Sequence, residues 1–257
     1  MASTPAPPVL WQFRHSHFNE KARWALDWKR VPHVRRSLVP GLHVPRVLWL
    51  TGQKAVPVLV LEGTAIPDST RIIETLERLR PDPPLYPRDE AARRRALALE
   101  EHFDEQLGPQ LRRALFHDLL PHTNYAVAVL TTGCGAATRL GVRALFPLIR
   151  AGMRLDMRID AAGAARGRAK ILEALDRIEA ELQPSGYLVG DGFSVADLTA
   201  AALLSPLVTP AEYPYAMPGP FPEPFATFRA SLSGRRAFRW VEETYRRHRG
   251  TSSAVRE

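Results

Sequence analysis

A serine between two histidines, His15-Ser16-His17, stands where a short apolar run gives way to a helical pattern, and it is the first group in this 257-residue chain with a chemical reading. Residues 9–13 (VLWQF) alternate as a strand does, and Phe18, Ala22, Ala25 and Leu26 then share one helical face. Ser16 occupies the junction, where a helix start prefers a side-chain acceptor. A hydroxyl there also sits in the partial positive field that helix N-termini direct at anions. Its chemistry is therefore stabilisation of a bound anion, and its purely structural use is an N-cap. His15 and His17 are candidates to polarise the serine or touch a substrate. A lone histidine near a loop is more often a satisfied surface residue. A second cluster, Asp68-Ser69-Thr70, opens another helix whose Ile72, Ile73, Leu76 and Leu79 lie together.

The elements that must position these groups are legible in outline. Val31-Pro32 breaks the first helix, residues 34–38 alternate as a second strand, and Val39-Pro40-Gly41 makes a turn. Residues 42–54 read as a polar and aromatic connection. Residues 56–61 (VPVLVL) form a β-branched run, and Glu62-Gly63 is a tight-turn signal before residues 64–66, which together predict a hairpin. A proline at a strand's entry cannot donate to the ladder, so Pro57 belongs at an edge or in a special turn, and a cis Val56-Pro57 bond fits. Residues 81–87 (PDPPLYP) are the clearest domain boundary. Beyond Arg88 the pattern is helical. Residues 89–120 predict one long helix with Phe103, Leu107, Leu111 and Leu115 on a repeating face, and residues 140–157 and 164–182 predict two more. Ser194 and Asp197 have the spacing of a capping box at the head of a small-residue helix. Residues 206–224 read as a proline-rich meander and residues 225–249 as one or two final helices. The order β-α-β, connection, β-β-α is the thioredoxin-like arrangement. The expected fold class is α/β followed by all-α. The expected division is a disordered lead at 1–8, a thioredoxin-like domain at 9–80, a linker at 81–88 and a helical domain at 89–257.

Composition bounds the rest. A hydrophobic fraction of 45% and a charged fraction of 24% are those of an ordinary globular protein. The single cysteine, Cys134, excludes an internal disulfide framework and suits a reducing cytosol; it reads as a buried small hydrophobe. The opening residues carry no secretory pattern, and the most apolar region, 125–157, is interrupted by Arg139, Arg143 and Arg150, so a soluble cytoplasmic protein is expected. The net charge of +8 comes from 31 arginines against four lysines, a bias typical of G+C-rich bacterial genomes. The arginines are interleaved with acids except in the tail, where six fall between Arg235 and Arg249. Nucleic acid is therefore an unlikely partner. No cysteine or histidine cluster has metal-ligand spacing, and there is no phosphate-binding glycine loop, so no metal is expected.

Four segments, residues 16–24 (SHFNEKARW), 55–59 (AVPVL), Asp68-Ser69 before a helix, and 192–198 (GFSVADL), occur in an order and at distances that resemble the glutathione S-transferase superfamily. The resemblance covers residues 9–249. It implies a cytosolic, dimeric enzyme that takes glutathione as cosubstrate together with a hydrophobic small molecule. By that resemblance, the Val56 backbone, held by Pro57, pairs with the cysteinyl part of the tripeptide as an added strand. Ser69 and the amides of its helix suit the γ-glutamyl carboxylate, and Asp68 suits the ammonium. His43 or Lys54 would face the glycine carboxylate. Ala55 departs from the pattern, because many relatives carry a polar residue there.

Ser16 matches the family's Ser or Cys beside the glutathione sulfur, where a donated hydrogen bond favours the thiolate over a thiol of ordinary pKa ~8.5. Asn19, where redox relatives hold a second cysteine, removes disulfide exchange and favours transferase or isomerase chemistry. Phe13, His15, Phe103, Phe116 and His117 are expected to line the electrophile site, with Tyr213, Tyr215 and Met217 as a lid. Arg23, Trp24, Ser194 and Asp197 read as folding residues. The expected activity is attack of the thiolate on a hydrophobic electrophile, as in detoxification. The alternatives are a glutathione-dependent isomerase, an ether- or halide-cleaving enzyme, and a non-catalytic binding or interaction protein of the same fold.

Overall fold

The computed structural model describes residues 6–255. Of the expected disordered lead, residues 1–5 lie outside the described residues. Pro8 is already fixed, since its carbonyl accepts a hydrogen bond from the Val34 amide (2.8 Å).

Strand β1 (Val9–Gln12) runs into helix α1 (His17–Trp28), which returns the chain to strand β2 (Val34–Ser37). A parallel neighbour needs such a crossover, and β1 pairs β2 in parallel with Val9 opposite Val34. Strands β3 (Val58–Leu61) and β4 (Thr64–Pro67) form the hairpin. Their turn is Glu62-Gly63, with φ of 49° and 80°, the left-handed pair that a two-residue turn demands. β3 lies antiparallel to β1, giving the sheet order β2-β1-β3-β4. The Val56-Pro57 bond is cis.

The expected connection at 42–54 is in fact helical. Helix α2 (Val44–Thr51) has Pro45 in its first turn and ends on Gly52 with φ 71°. Only Val47 of this helix is buried, so its apolar stripe is too narrow to read as periodicity. Helix α3 (Ser69–Leu79) then packs on the sheet.

The long helix expected at 89–120 is broken. Helix α4 (Glu90–His102) passes through a π-helical turn at Phe103–Leu107 into helix α5 (Gly108–Leu119). Gly108 marks the restart because a Cβ there would lie 2.4 Å from the Phe18 ring of α1. Helices α6 (Thr123–Leu130), α7 (Ala136–Asp156) and α8 (Ala161–Glu181) follow. Gly167 of α8 lets that helix close on α5, where a Cβ would meet the Gln110 carbonyl at 2.6 Å.

Helix α9 (Val195–Val208) is the axis of the helical half, buried at every position except Pro206. Its capping box is formed: Asp197 accepts from the Ser194 amide (2.9 Å) and from the Ser194 hydroxyl (2.7 Å). Burial raises the Asp197 pKa to about 6, against the hydrogen bonds that Leu188 and Ser194 give it. Helices α10 (Glu223–Leu232) and α11 (Arg236–His248) complete the chain.

One core runs through both halves. Trp24 of α1 packs on Phe193 and Tyr245, and its indole N–H donates to the His248 carbonyl (3.1 Å). The arginine-rich tail is largely neutralised. Arg235 pairs with Asp176 and Glu179, Arg246 and Arg247 with Glu243, and buried Arg249 with Glu20 and Asp27. Cys134 is half-buried and does not sit in the core. Among the described residues, no helix is long and apolar enough to cross a membrane.

Candidate functional site

Ser16 caps α1 in an extended conformation (φ −89°, ψ 128°), and its Oγ accepts from the Asn19 amide at 3.5 Å. That is a long bond, and no acceptor among the described residues takes the hydroxyl proton. The loop that presents the serine is held from beneath by Arg23. The buried guanidinium donates to Gln12 Oε1 (2.6 Å), the Phe13 carbonyl (3.2 Å), the Arg14 carbonyl (3.1 Å) and Glu20 Oε2 (2.7 Å). A planar fork with five donors can satisfy several backbone oxygens at once, which a lysine cannot. Tyr213 adds a hydrogen bond to the Arg14 carbonyl (2.9 Å), and Gln12 donates to the Tyr215 hydroxyl (2.8 Å). The tyrosines of the meander therefore brace the serine loop from behind. Neither lines the cavity, so the expected lid is not formed by them.

The adjoining edge is built from the Val56-Pro57 turn and the head of α3. Asn19 Nδ2 reaches the Val56 carbonyl (3.5 Å), and the Asp68 amide donates to the Pro57 carbonyl (3.3 Å). Asp68 has φ 74°, a strained value for a side-chain-bearing residue that costs about 1–3 kcal/mol. Its Oδ1 caps α3 through the Thr70 amide (2.8 Å) and the Arg71 amide (3.3 Å), and the residue is exposed. Ser69 is buried beside it. Beneath this corner, fully buried Lys21 pairs with Glu100 (2.8 Å) and Asp104 and donates to Thr70 Oγ1 (2.9 Å). Burial opposes the ammonium, but the two carboxylates outweigh it and hold Lys21 above its ordinary pKa.

A cleft of about 720 Å³ opens in front of Ser16. Phe13, His15, Ser16, His43, Lys54, Val56 and Phe116 of the expected set line it. Pro57, Asp68 and Ser69 stand along the neighbouring edge, not in the cleft wall. Two expectations fail. Phe103 is fully buried in the core with Leu107, Leu111 and Leu115 of the same apolar face, and His117 meets Asp118 (3.2 Å) and does not line the cleft. His43 is occupied by the Lys54 carbonyl (3.0 Å) and the Phe13 ring, and the Lys54 ammonium is paired with Asp156 of α7.

The flanking histidines are not surface residues. His15 meets Thr132 Oγ1 (2.9 Å), and burial with Arg23 and Arg14 nearby lowers its pKa to about 4. His17 is buried, and burial with Arg112 beside it lowers its pKa to about 3. Both are neutral at pH 7. The far wall, apolar apart from Arg112 and Asp156, comes from α5, α6 and α7, through Val129, Leu130, Leu145, Leu148, Ile149 and Met153. Arg112, Thr132 and Asp156 carry no local signal of their roles, since only the packing of α5 to α7 brings them to the cleft. Among the described residues, no group of three His, Cys, Asp or Glu side chains is arranged to hold a metal ion.

The arrangement offers a proton donor at a helix N-terminus, an exposed strand-like edge, and an apolar chamber opposite. Residues 10–84 match the glutathione S-transferase N-terminal domain, and residues 161–244 match the C-terminal domain. The chain is 27% identical over 191 residues to FtsZ-localized protein A of Caulobacter vibrioides (strain NA1000 / CB15N), covering 73% of this chain and 71% of that protein. A probable maleylacetoacetate isomerase of Caenorhabditis elegans is 32% identical over 94 residues, 36% of this chain and 44% of that one. The fold is similar to a glutathione S-transferase from Rhodospirillum rubrum F11, with a TM-score of 0.59 and 22% identity over 91% of each chain. With both domain signatures present in order on a sheet and helical bundle of this kind, the chain belongs to the glutathione S-transferase superfamily.

Proposed function

We propose that this protein is a glutathione transferase in which the Ser16 hydroxyl stabilises the thiolate of glutathione for attack on an electrophile held in the cleft. The observation that carries the reading is the position of Ser16. Its uncommitted proton lies at the N-terminus of α1, on the wall of a 720 Å³ cleft with a largely apolar far side. A hydrogen bond to sulfur and the helix field both favour the charged form, and two pKa units of such favour correspond to ~2.7 kcal/mol.

The residues beside Ser16 fit the tripeptide: the Val56 edge for its backbone, the exposed Asp68 carboxylate for its ammonium, and the α3 amides with Ser69 for its carboxylate. Lys54, paired with Asp156, keeps two further N–H donors for the glycine carboxylate. The sulfur then forms a bond to the electrophilic carbon, the leaving group departs with its electron pair, and the thiol proton goes to solvent. The same machinery serves isomerisation or ether and halide cleavage. In this proposal the linker at 81–88 divides two domains, and the protein works in the cytoplasm as a homodimer.

Calorimetric titration of glutathione into wild type and Ser16→Ala, beside a chloronitrobenzene conjugation assay, tests the reading. Saturable binding in both, with turnover lost only in the variant, is the expected result. Absence of glutathione binding to wild type overturns it. A second reading, an interaction protein of the same fold, is favoured by the relative named for its localisation to FtsZ and by the exposed leucines of α7. Glutathione binding without turnover would support that reading.

A further inference from the structure

Arg112 of α5 lies on the cleft wall, near enough to His17 to disfavour that histidine's charge, and no other charge in the cleft is left so incompletely matched. The described lining residues carry three permanent cations, Arg14, Lys54 and Arg112, and one acid, Asp156. Lys54 holds Asp156. Arg14 is seated against Gly133, donates to Ser37 Oγ (3.2 Å) and lies over the Tyr215 ring. Arg112 makes no hydrogen bond or ion pair among the described residues, and its Nε is buried with no partner. Asp156 favours its charge only at longer range, while burial and neighbouring Arg113 oppose it, leaving the guanidinium below its ordinary pKa. Arg113 itself is engaged by the Met157 carbonyl (3.0 Å) and Gln110 Oε1 (2.7 Å). His17, also on the wall, is held neutral and adds no charge. Phe116 stands one turn on from Arg112 in α5, and Ile149, Met153 and Met157 also line the cleft.

A guanidinium in a largely apolar wall with no bonded partner is costly, and its planar fork is shaped to take a carboxylate. We propose that Arg112 is the receptor for a carboxylate on the second substrate, so that this protein acts on electrophiles combining an apolar or aromatic body with an acidic group. The inference rests on the transferase reading for the reaction, but the anion site itself is independent of turnover.

The test uses 4-chloro-3-nitrobenzoate and its neutral analogue 4-chloro-3-nitrobenzamide with wild type, Arg112→Gln and Arg112→Lys at saturating glutathione. Arg112→Gln is expected to lower kcat/KM for the acid about 10- to 100-fold, mainly through KM, the size of a lost charged hydrogen bond. The amide should change by less than about threefold, and Arg112→Lys should restore part of the acid's rate. Equal losses for acid and amide, or no loss for either, overturn the assignment. Glutathione affinity measured in parallel should be the same in all three proteins. If wild type conjugates neither compound, the transferase reading fails and calorimetric binding of the acid decides the site. Saturable binding lost in Arg112→Gln supports it, and no binding to wild type overturns it.

Discussion

Helix α1 carries His17, Asn19, Glu20, Lys21, Arg23 and Asp27, and all six are buried; helix α7 carries Leu140, Leu145, Leu148 and Leu155, and all four are exposed. By composition the two helices should have exchanged places. The difference lies in what the rest of the chain supplies. Three of the four charges of α1 meet charges from distant elements: Glu20 and Asp27 meet Arg249, Asp27 also meets Arg35, and Lys21 meets Glu100 and Asp104, while Arg23 pairs with Glu20 on the same helix. Pairing makes burial tolerable, although removing one partner strands the other. Helix α7 contributes only Val142 and Phe146 to a small satellite core with Leu120, Ala126, Val127 and Ile159. Its remaining inward face borders the cleft through Ile149 and Met153. The helix whose buried charges are paired thus presents Ser16, and the one with few buried residues shapes the chamber opposite. A braced donor and a largely apolar wall suit one constant ligand and one variable ligand.

The most severe way to break this contrast is to unpair α1. Glu20→Ala leaves Arg23 and Arg249 facing each other in the core, and should lower unfolding free energy by about 3–5 kcal/mol, read as a fall in the denaturant midpoint. Acid attacks the same layer more gently. Burial keeps His17 and His33 neutral when folded, with pKa values of about 3 and 4, whereas the unfolded chain protonates them near pH 6.5. Their contribution is therefore complete above pH 6.5 and is lost as pH falls toward the folded values. Each should cost about 2 kcal/mol between pH 7 and pH 5, and His17→Gln should remove one share of the slope.

Ser16→Ala strikes the tip of α1 alone. Loss of so long a capping bond should cost at most about 1 kcal/mol, far less than its effect on turnover, and thermal melting beside the conjugation assay separates the two. On α7, Leu155→Gln at a site 84% exposed should shift stability by no more than about 0.5 kcal/mol. A large loss there would mean that this face is covered in solution, and would sharpen the contrast into an interface.

What could be read in the chain was what depends on near neighbours. The β-α-β order, the Glu62-Gly63 turn, the caps at Ser16 and Asp68 and the Ser194–Asp197 box all follow from side chains meeting backbone a few residues away. Helix α2 escaped because one buried residue leaves no periodic stripe, although Pro45 and Gly52 marked its two ends. The π-helical turn at Phe103–Leu107 escaped because helical spacing continues through it; the interruption serves the close approach of Gly108 to Phe18.

The sequence by itself determined the two-part architecture and the placing of a serine at a helix start beside a strand-like edge, because those are local matters of period, turn and cap. Only the tertiary structure decided that His15 and His17 are neutral, that Lys54 is paired with Asp156, that the tyrosines brace the loop, and that Arg112 stands in the cleft without a bonded partner. Charge state and pairing are set by whatever packs within a few ångströms, and in this protein those neighbours lie as far as 229 residues away, as Glu20 and Arg249 do.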